Sequence, residues 1–224
     1  MTGLFRNLGW WAEDYAYAAA WQARAAIDRT DPGAFAAGSG RPVLMIPGVY
    51  EPWQFLRPLI DALHAAGHPV HVVPALGNNL GVLSEAATTV ENRLEELALR
   101  DVVIVAHSKG GLIGKLVMVG EGSVPRVVRM VAICTPFAGS RYAQFIPIRA
   151  LRDFSPTDPA GISLRADESV NSRIVSVFGP FDPHIPEGST LAGATNRVVA
   201  KGGHFRGLSD PEVRAIVLEE AGKE

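Results

Sequence analysis

The chain has 224 residues, 47% of them apolar, and a formal net charge of −2. That is enough chain for one globular domain with trimmings, and it is too apolar for a disordered segment. The near-neutral balance, with no basic cluster beyond two or three positions, argues against a nucleic-acid partner. The single cysteine, Cys134, forbids an intrachain disulfide or a multi-cysteine zinc site and fits a reducing compartment.

From the N-terminus, Leu4, Leu8, Trp11, Tyr15 and Ala18 recur at three-to-four spacing, with Trp10, Tyr17 and Trp21 on a neighbouring stripe. This periodicity predicts an amphipathic helix. Glu13 and Asp14 interrupt the apolar stretch before a secretory core forms, and no run approaches the roughly 18 residues that span a bilayer. Two readings of the helix stay open. Either it packs across the body of the domain, or its aromatic residues sit at a lipid headgroup boundary as an interfacial anchor. The expectation is a cytoplasmic protein with possible peripheral membrane contact through this helix. Residues 31–41 (DPGAFAAGSGR) are turn-rich and read as a linker, dividing the chain into 1–40 and 41–224.

Beyond the linker, short β-branched runs alternate with helical ones. Strands are expected at 43–46, 70–73, 102–106, 127–134, 173–178 and 197–200, and helices near 53–66, 84–99, 110–119 and 211–220. Near-continuous apolar strands separated by helices predict an α/β fold, a mostly parallel sheet of about six strands with helices on both faces. The run 139–171 breaks this rhythm, with prolines at 147, 156 and 159, and resolves into no single helix. An irregular insertion of that size inside a compact domain is more often functional than accidental.

Residues 102–111 read VVIVAHSKGG: a buried strand, then Ser108, then a glycine pair opening a helix. This small-x-Ser-x-Gly arrangement is close to a nucleophile elbow, with Ala106 in the first glycine position. Small neighbours tolerate the strained turn that lifts the serine out of the sheet. The helix behind points its positive end at the site, and the amide of Lys109 is placed to bind a developing oxyanion. A serine hydroxyl also needs a base, and a base needs an orienting acid.

The AHSKGG turn, the IPG after the first strand and TPFAGS after a later strand resemble the α/β-hydrolase superfamily, and within it the small bacterial lipases and esterases, over about residues 41–220. The resemblance implies the α/β-hydrolase fold and catalysis without cofactor or metal. His204, in the glycine-rich loop AKGGHFRG, matches the family's catalytic histidine. Asp182, in GPFDPHIP with Ile185 three positions on, matches its acid; the rival acids are Asp153, Asp158 and Asp167. The order Ser108, Asp182, His204 is the α/β-hydrolase order. By the same resemblance Val49, after Gly48, supplies the second oxyanion amide beside Lys109. Pro47 stands where the family commonly has a histidine, and Tyr50 is available as a donor or pocket wall.

Phe137, Tyr142 and Phe145, with Ile146, Ile148, Leu151 and Phe154, form either a lid over an acyl pocket or a satellite core under a long loop. Cys134 reads as a packed core thiol. The expected function is a serine hydrolase of carboxylic esters, its partner a small-molecule ester or lipid. An acyltransferase or thioesterase on the same three residues, and a non-catalytic hydrolase-like binding module, are the alternatives.

Overall fold

The computed structural model describes residues 2–120, 126–145, 149–152, 154–155 and 157–223, less the side chains of residues 2–4, 144, 145, 149 and 152. The chain opens with a 26-residue helix, α1 (Thr2–Ile27). Six strands follow: β1 (Val43–Ile46), β2 (Val70–Val72), β3 (Val102–His107), β4 (Val127–Ile133), β5 (Ile174–Phe178) and β6 (Thr195–Val198). All pair in parallel, in the order β2-β1-β3-β4-β5-β6. Helices α2 (Arg57–Ala65), α3 (Leu83–Glu96), α4 (Lys109–Gly120) and α7 (Pro211–Gly222) cover the sheet, and two short helices, α5 (Arg149–Arg152) and α6 (Pro159–Ala166), lie in the insertion.

Parallel strands are buried on both faces, and their side chains alternate between two cores. Leu44 and Ile46 of β1 and Ile104 and Ala106 of β3 join α3 and α4 on one side. Val43, Met45, Val103 and Val105 join α2 and α7 on the other, where Tyr17, Ala18 and Trp21 of α1 also pack. Helix α1 therefore lies against the body of the domain, while Phe5, Leu8, Trp11 and Tyr15 remain exposed. Among the described residues, no helix is long and apolar enough to cross a membrane. Strand β6 is solvent-exposed along its length and carries Thr195, Asn196 and Arg197, polar residues that suit a sheet edge.

The chain steps from β1 outward to β2, then back across to β3 on the other side of β1. The carboxyl ends of β1 and β3 thus flank a topological switch point, where open α/β sheets form their ligand crevice. The β3–α4 turn is tight enough to demand glycine twice. A Cβ on Gly110 would lie 2.3 Å from the Ile46 carbonyl oxygen, and one on Gly111 would lie 2.0 Å from Thr135 Oγ1. Backbone blocks the first position, so no rotamer change relieves it. Gly110→Ala is expected to destabilise the fold by at least about 1–3 kcal/mol. Gly9→Ala, at an uncrowded site inside α1, should instead stabilise it by roughly 0.5–1 kcal/mol. Urea midpoints of the two variants check this, and equal midpoints would contradict it.

Candidate active site

Ser108 occupies the single residue between β3 and α4, with φ +50°, a left-handed conformation rare outside glycine. Its N–H donates to the Ile133 carbonyl at 2.8 Å, which ties the turn to β4. The side chain points toward His204 on the loop after β6, and Ser108 Oγ lies 3.0 Å from His204 Nε2. His204 Nδ1 lies 2.8 Å from Asp182 Oδ2 on the loop after β5. An ionised carboxylate only accepts, so Nδ1–H donates to Asp182 and Nε2 is left to accept the Ser108 hydroxyl proton. Asp182 is held in turn: its Oδ1 accepts the N–H groups of His184 at 2.8 Å and Ile185 at 3.1 Å. Three loops at the carboxyl ends of different strands thus deliver three side chains into one hydrogen-bonded line.

The surroundings of His204 stabilise its imidazolium relative to that of a free histidine. Burial works against charge on His204, but the Asp182 carboxylate, helped by Glu51 and Asp14, overcomes it and raises the imidazole pKa above its ordinary value. Burial also opposes the charge of Asp182, yet His204 and the His184 amide hold its carboxyl below the usual range. His184, with its ring 5.0 Å from that of His204, is pushed down to about 4 by desolvation and by the neighbouring histidine. It stays neutral where His204 titrates.

These groups open on a cavity of about 320 Å³. Ser108 and His204 meet Val49, Tyr50, Phe55, Tyr142, Leu151, Phe154 and Phe205 there, so the walls are largely apolar. Phe137 is buried in the core beside α4 and is absent from the cavity lining. The side chains of Phe145, Ile146 and Ile148 lie outside those described, as does Asp153. Asp158 caps α6 through the Gly161 N–H, and Asp167 accepts from Ser169, so neither meets His204. Lys109 turns its ammonium away from the cavity, onto the carbonyls of Asn79 and Gly81.

Residues that pattern reading passed over complete the arrangement. Glu51, buried in the loop after β1, accepts the Gly48 N–H at 2.7 Å and faces His107 Nδ1 at 2.9 Å. His107 Nε2 reaches the His204 carbonyl at 2.9 Å. Both ring nitrogens of His107 face oxygen, so one imidazole joins the loop after β1 to the loop that carries His204. The available signal was an acid inside the otherwise apolar IPGVYEPW. Donor atoms of Cys134, Asp182 and His204 fall within 4.8 Å of one another, as in a metal site. The set does not fit one: His204 is committed at both nitrogens, and burial pushes the Cys134 thiol up, away from the thiolate a metal requires.

No protein-family model matches the sequence, and comparison with curated proteins finds no sequence relative. Solved structures do match. The mature lipase BlEst2 of Bacillus licheniformis superposes with a TM-score of 0.70 at 13% identity, over 88% of this chain and 96% of that one. Lipase B of Aspergillus fumigatus gives 0.66 at 16% identity, over 89% of this chain and 57% of its own. A monoacylglycerol lipase of Paleococcus ferrophilus gives 0.60 at 16%, over 83% and 96%.

The chain has the α/β-hydrolase fold. Ser108 and the loop after β1 both lie at the carboxyl end of the sheet and line the cavity. The Gly48 N–H donates to Glu51, and Val49 lines the cavity. Glu51→Ala would strand the Gly48 N–H and one nitrogen of a fully buried histidine. It should destabilise the protein by about 3–5 kcal/mol, with Glu51→Gln, which keeps an acceptor, costing less. Urea unfolding tests this, and an unchanged midpoint for Glu51→Ala would contradict it.

Proposed function

We propose that the protein is a serine hydrolase of carboxylic esters working through an acyl-enzyme. The observation that carries this reading is the line Asp182–His204–Ser108, with hydrogen bonds of 2.8 and 3.0 Å, at the floor of an apolar cavity. Ser108 Oγ attacks the ester carbonyl carbon while its proton passes to His204 Nε2. Asp182 fixes the tautomer and stabilises the imidazolium. The amides of Val49 and Lys109 hold the oxyanion of the tetrahedral intermediate. Collapse breaks the ester C–O bond, and the imidazolium gives its proton to the leaving alcohol. Water, activated by the same histidine, then releases the acid and frees the serine.

The cavity supports an uncharged acyl group. Its volume of about 320 Å³ lies at the small end of the range of ligand pockets. That favours medium-length chains over acetate, which fills little of it, and over palmitate, which outgrows it. Among the described residues of the wall the one carboxylate, Glu51, is engaged by Gly48 and His107 and does not solicit a cation.

Turnover of a p-nitrophenyl ester series should peak at butyrate to octanoate and vanish in Ser108→Ala; an active Ser108→Ala would overturn the assignment. Adding a competing alcohol or a thioester substrate separates hydrolysis from acyl transfer and thioester cleavage. The pH profile gives an independent check. His204 must be neutral to act as base, and Asp182 raises its pKa, so the acid limb of kcat/KM should centre above 6.5. Asp182→Asn should move that limb to lower pH and cut kcat by about 10⁴-fold.

A further inference from the structure

Helix α1 precedes the whole sheet, yet it reaches the loop that carries His204. Asp14, at mid-helix, is fully buried, and its Oδ2 has no hydrogen-bond partner among the described residues. Its Oδ1 accepts two amides, from Phe205 at 2.7 Å and Arg206 at 2.9 Å, the two residues after His204. Other anchors act on the same stretch. The Gly203 N–H donates to the Phe181 carbonyl at 2.7 Å, and His107 holds the His204 carbonyl at 2.9 Å. The loop is thus pinned on both sides of the imidazole, and the pin on its far side comes from α1.

We propose that Asp14 is a positioning residue for His204: its buried carboxylate fixes the backbone that carries the imidazole, which makes helix α1 a working part of the site. This rests on the assignment of His204 as the base under Proposed function.

Three further observations fit. Gly203 adopts φ +130°, and a Cβ there would lie 2.9 Å from Asp14 Oδ1, so the close approach requires glycine. Trp10 packs against Gly202, and Tyr15 lies with its ring 5.5 Å from His184 and 6.4 Å from Phe205, so α1 is registered along this loop by more than one residue. Gln22 donates to the Tyr50 carbonyl at 2.7 Å, so the same helix also grips the loop after β1, next to Val49. One helix therefore sets the spacing between the proposed base and the proposed oxyanion donor.

The carboxylate has an electrostatic signature that a neutral spacer lacks. The groups facing His204 are Asp182 and His184 from the loop after β5, Glu51 from the loop after β1, His107 from β3, Cys134 after β4, and Asp14 from α1, with Tyr15 of α1 beside His184 and Phe205. On the histidine's own loop, Arg206 lies 2.6 Å from Glu13. Asp14 is one of the carboxylates that raise the His204 pKa.

The test is kcat, KM and the pH profile of kcat/KM on a p-nitrophenyl ester for the full chain, Asp14→Asn, Asp14→Ala and Ser108→Ala. Asp14→Asn keeps an acceptor for both amides and loses the charge. It should retain kcat within about tenfold while its acid limb moves to lower pH. Asp14→Ala loses the clamp too, and its kcat should fall by about 10–100-fold with KM little changed. Should Asp14→Ala fail to fold, the Asp14→Asn profile decides alone. An unmoved acid limb in Asp14→Asn, or wild-type kcat in a folded Asp14→Ala, would overturn the proposal. If that happens while Ser108→Ala is inactive, the Asp14 assignment alone fails; an active Ser108→Ala overturns the hydrolase reading with it.

Discussion

The arrangement hangs on the closeness of the turn between β3 and α4. One residue, Ser108 at φ +50°, converts a buried strand into a buried helix. Gly110 and Gly111 let that helix begin against the end of β1 and against Thr135. Neither contact leaves room for a methyl group, so the serine cannot relax back toward the sheet. Tyr50 and Cys134, in neighbouring loops, also hold positive φ. Non-glycine residues persist in such conformations only where surrounding structure over-determines them, and three of them, Tyr50, Ser108 and Cys134, lie at the carboxyl ends of the central strands.

Around that turn the difficulty is electrostatic. Asp14, Glu51, His107 and His204 are all nearly inaccessible, and Asp182 is well covered. Buried charges are tolerated when paired and hydrogen-bonded. Asp182 takes His204 and two amides and Glu51 takes His107 and the Gly48 amide, while Asp14 takes two amides beyond His204 on Oδ1 alone and its buried Oδ2 has no partner among the described residues. The carboxylates fix loops from three elements and at the same time favour the proton on His204 that the proposed chemistry places there. In the proposed reaction, positioning and activation are thus one set of contacts.

Much of this was legible in the sequence, because local pattern determines it. Five apolar runs became β1 to β5, with period-two alternation dividing their side chains between two cores. Ser108 stood out by its place between a buried strand and a glycine pair, whereas Asp182 and His204 were named from the resemblance of their loops to those of α/β-hydrolases. The last strand came two residues early, at 195–198 instead of 197–200, because its exposed edge carries little apolar signal. Glu51 and Asp14 were not legible as partners of the site. Their contacts span 56 residues to His107 and more than 190 to the loop after His204, and no periodicity encodes such a pairing. Asp14 registered only as an acid interrupting an apolar face, which in retrospect is the mark of a buried carboxylate with work to do.

The central claim is that His204 activates Ser108, and the most direct measurement is covalent trapping. A fluorophosphonate reacts with a serine only when a base makes it nucleophilic. Peptide mass mapping of the labelled protein should place the adduct on Ser108, with labelling abolished in Ser108→Ala and strongly slowed in His204→Ala. An adduct elsewhere, or undiminished labelling of Ser108→Ala, would contradict the account.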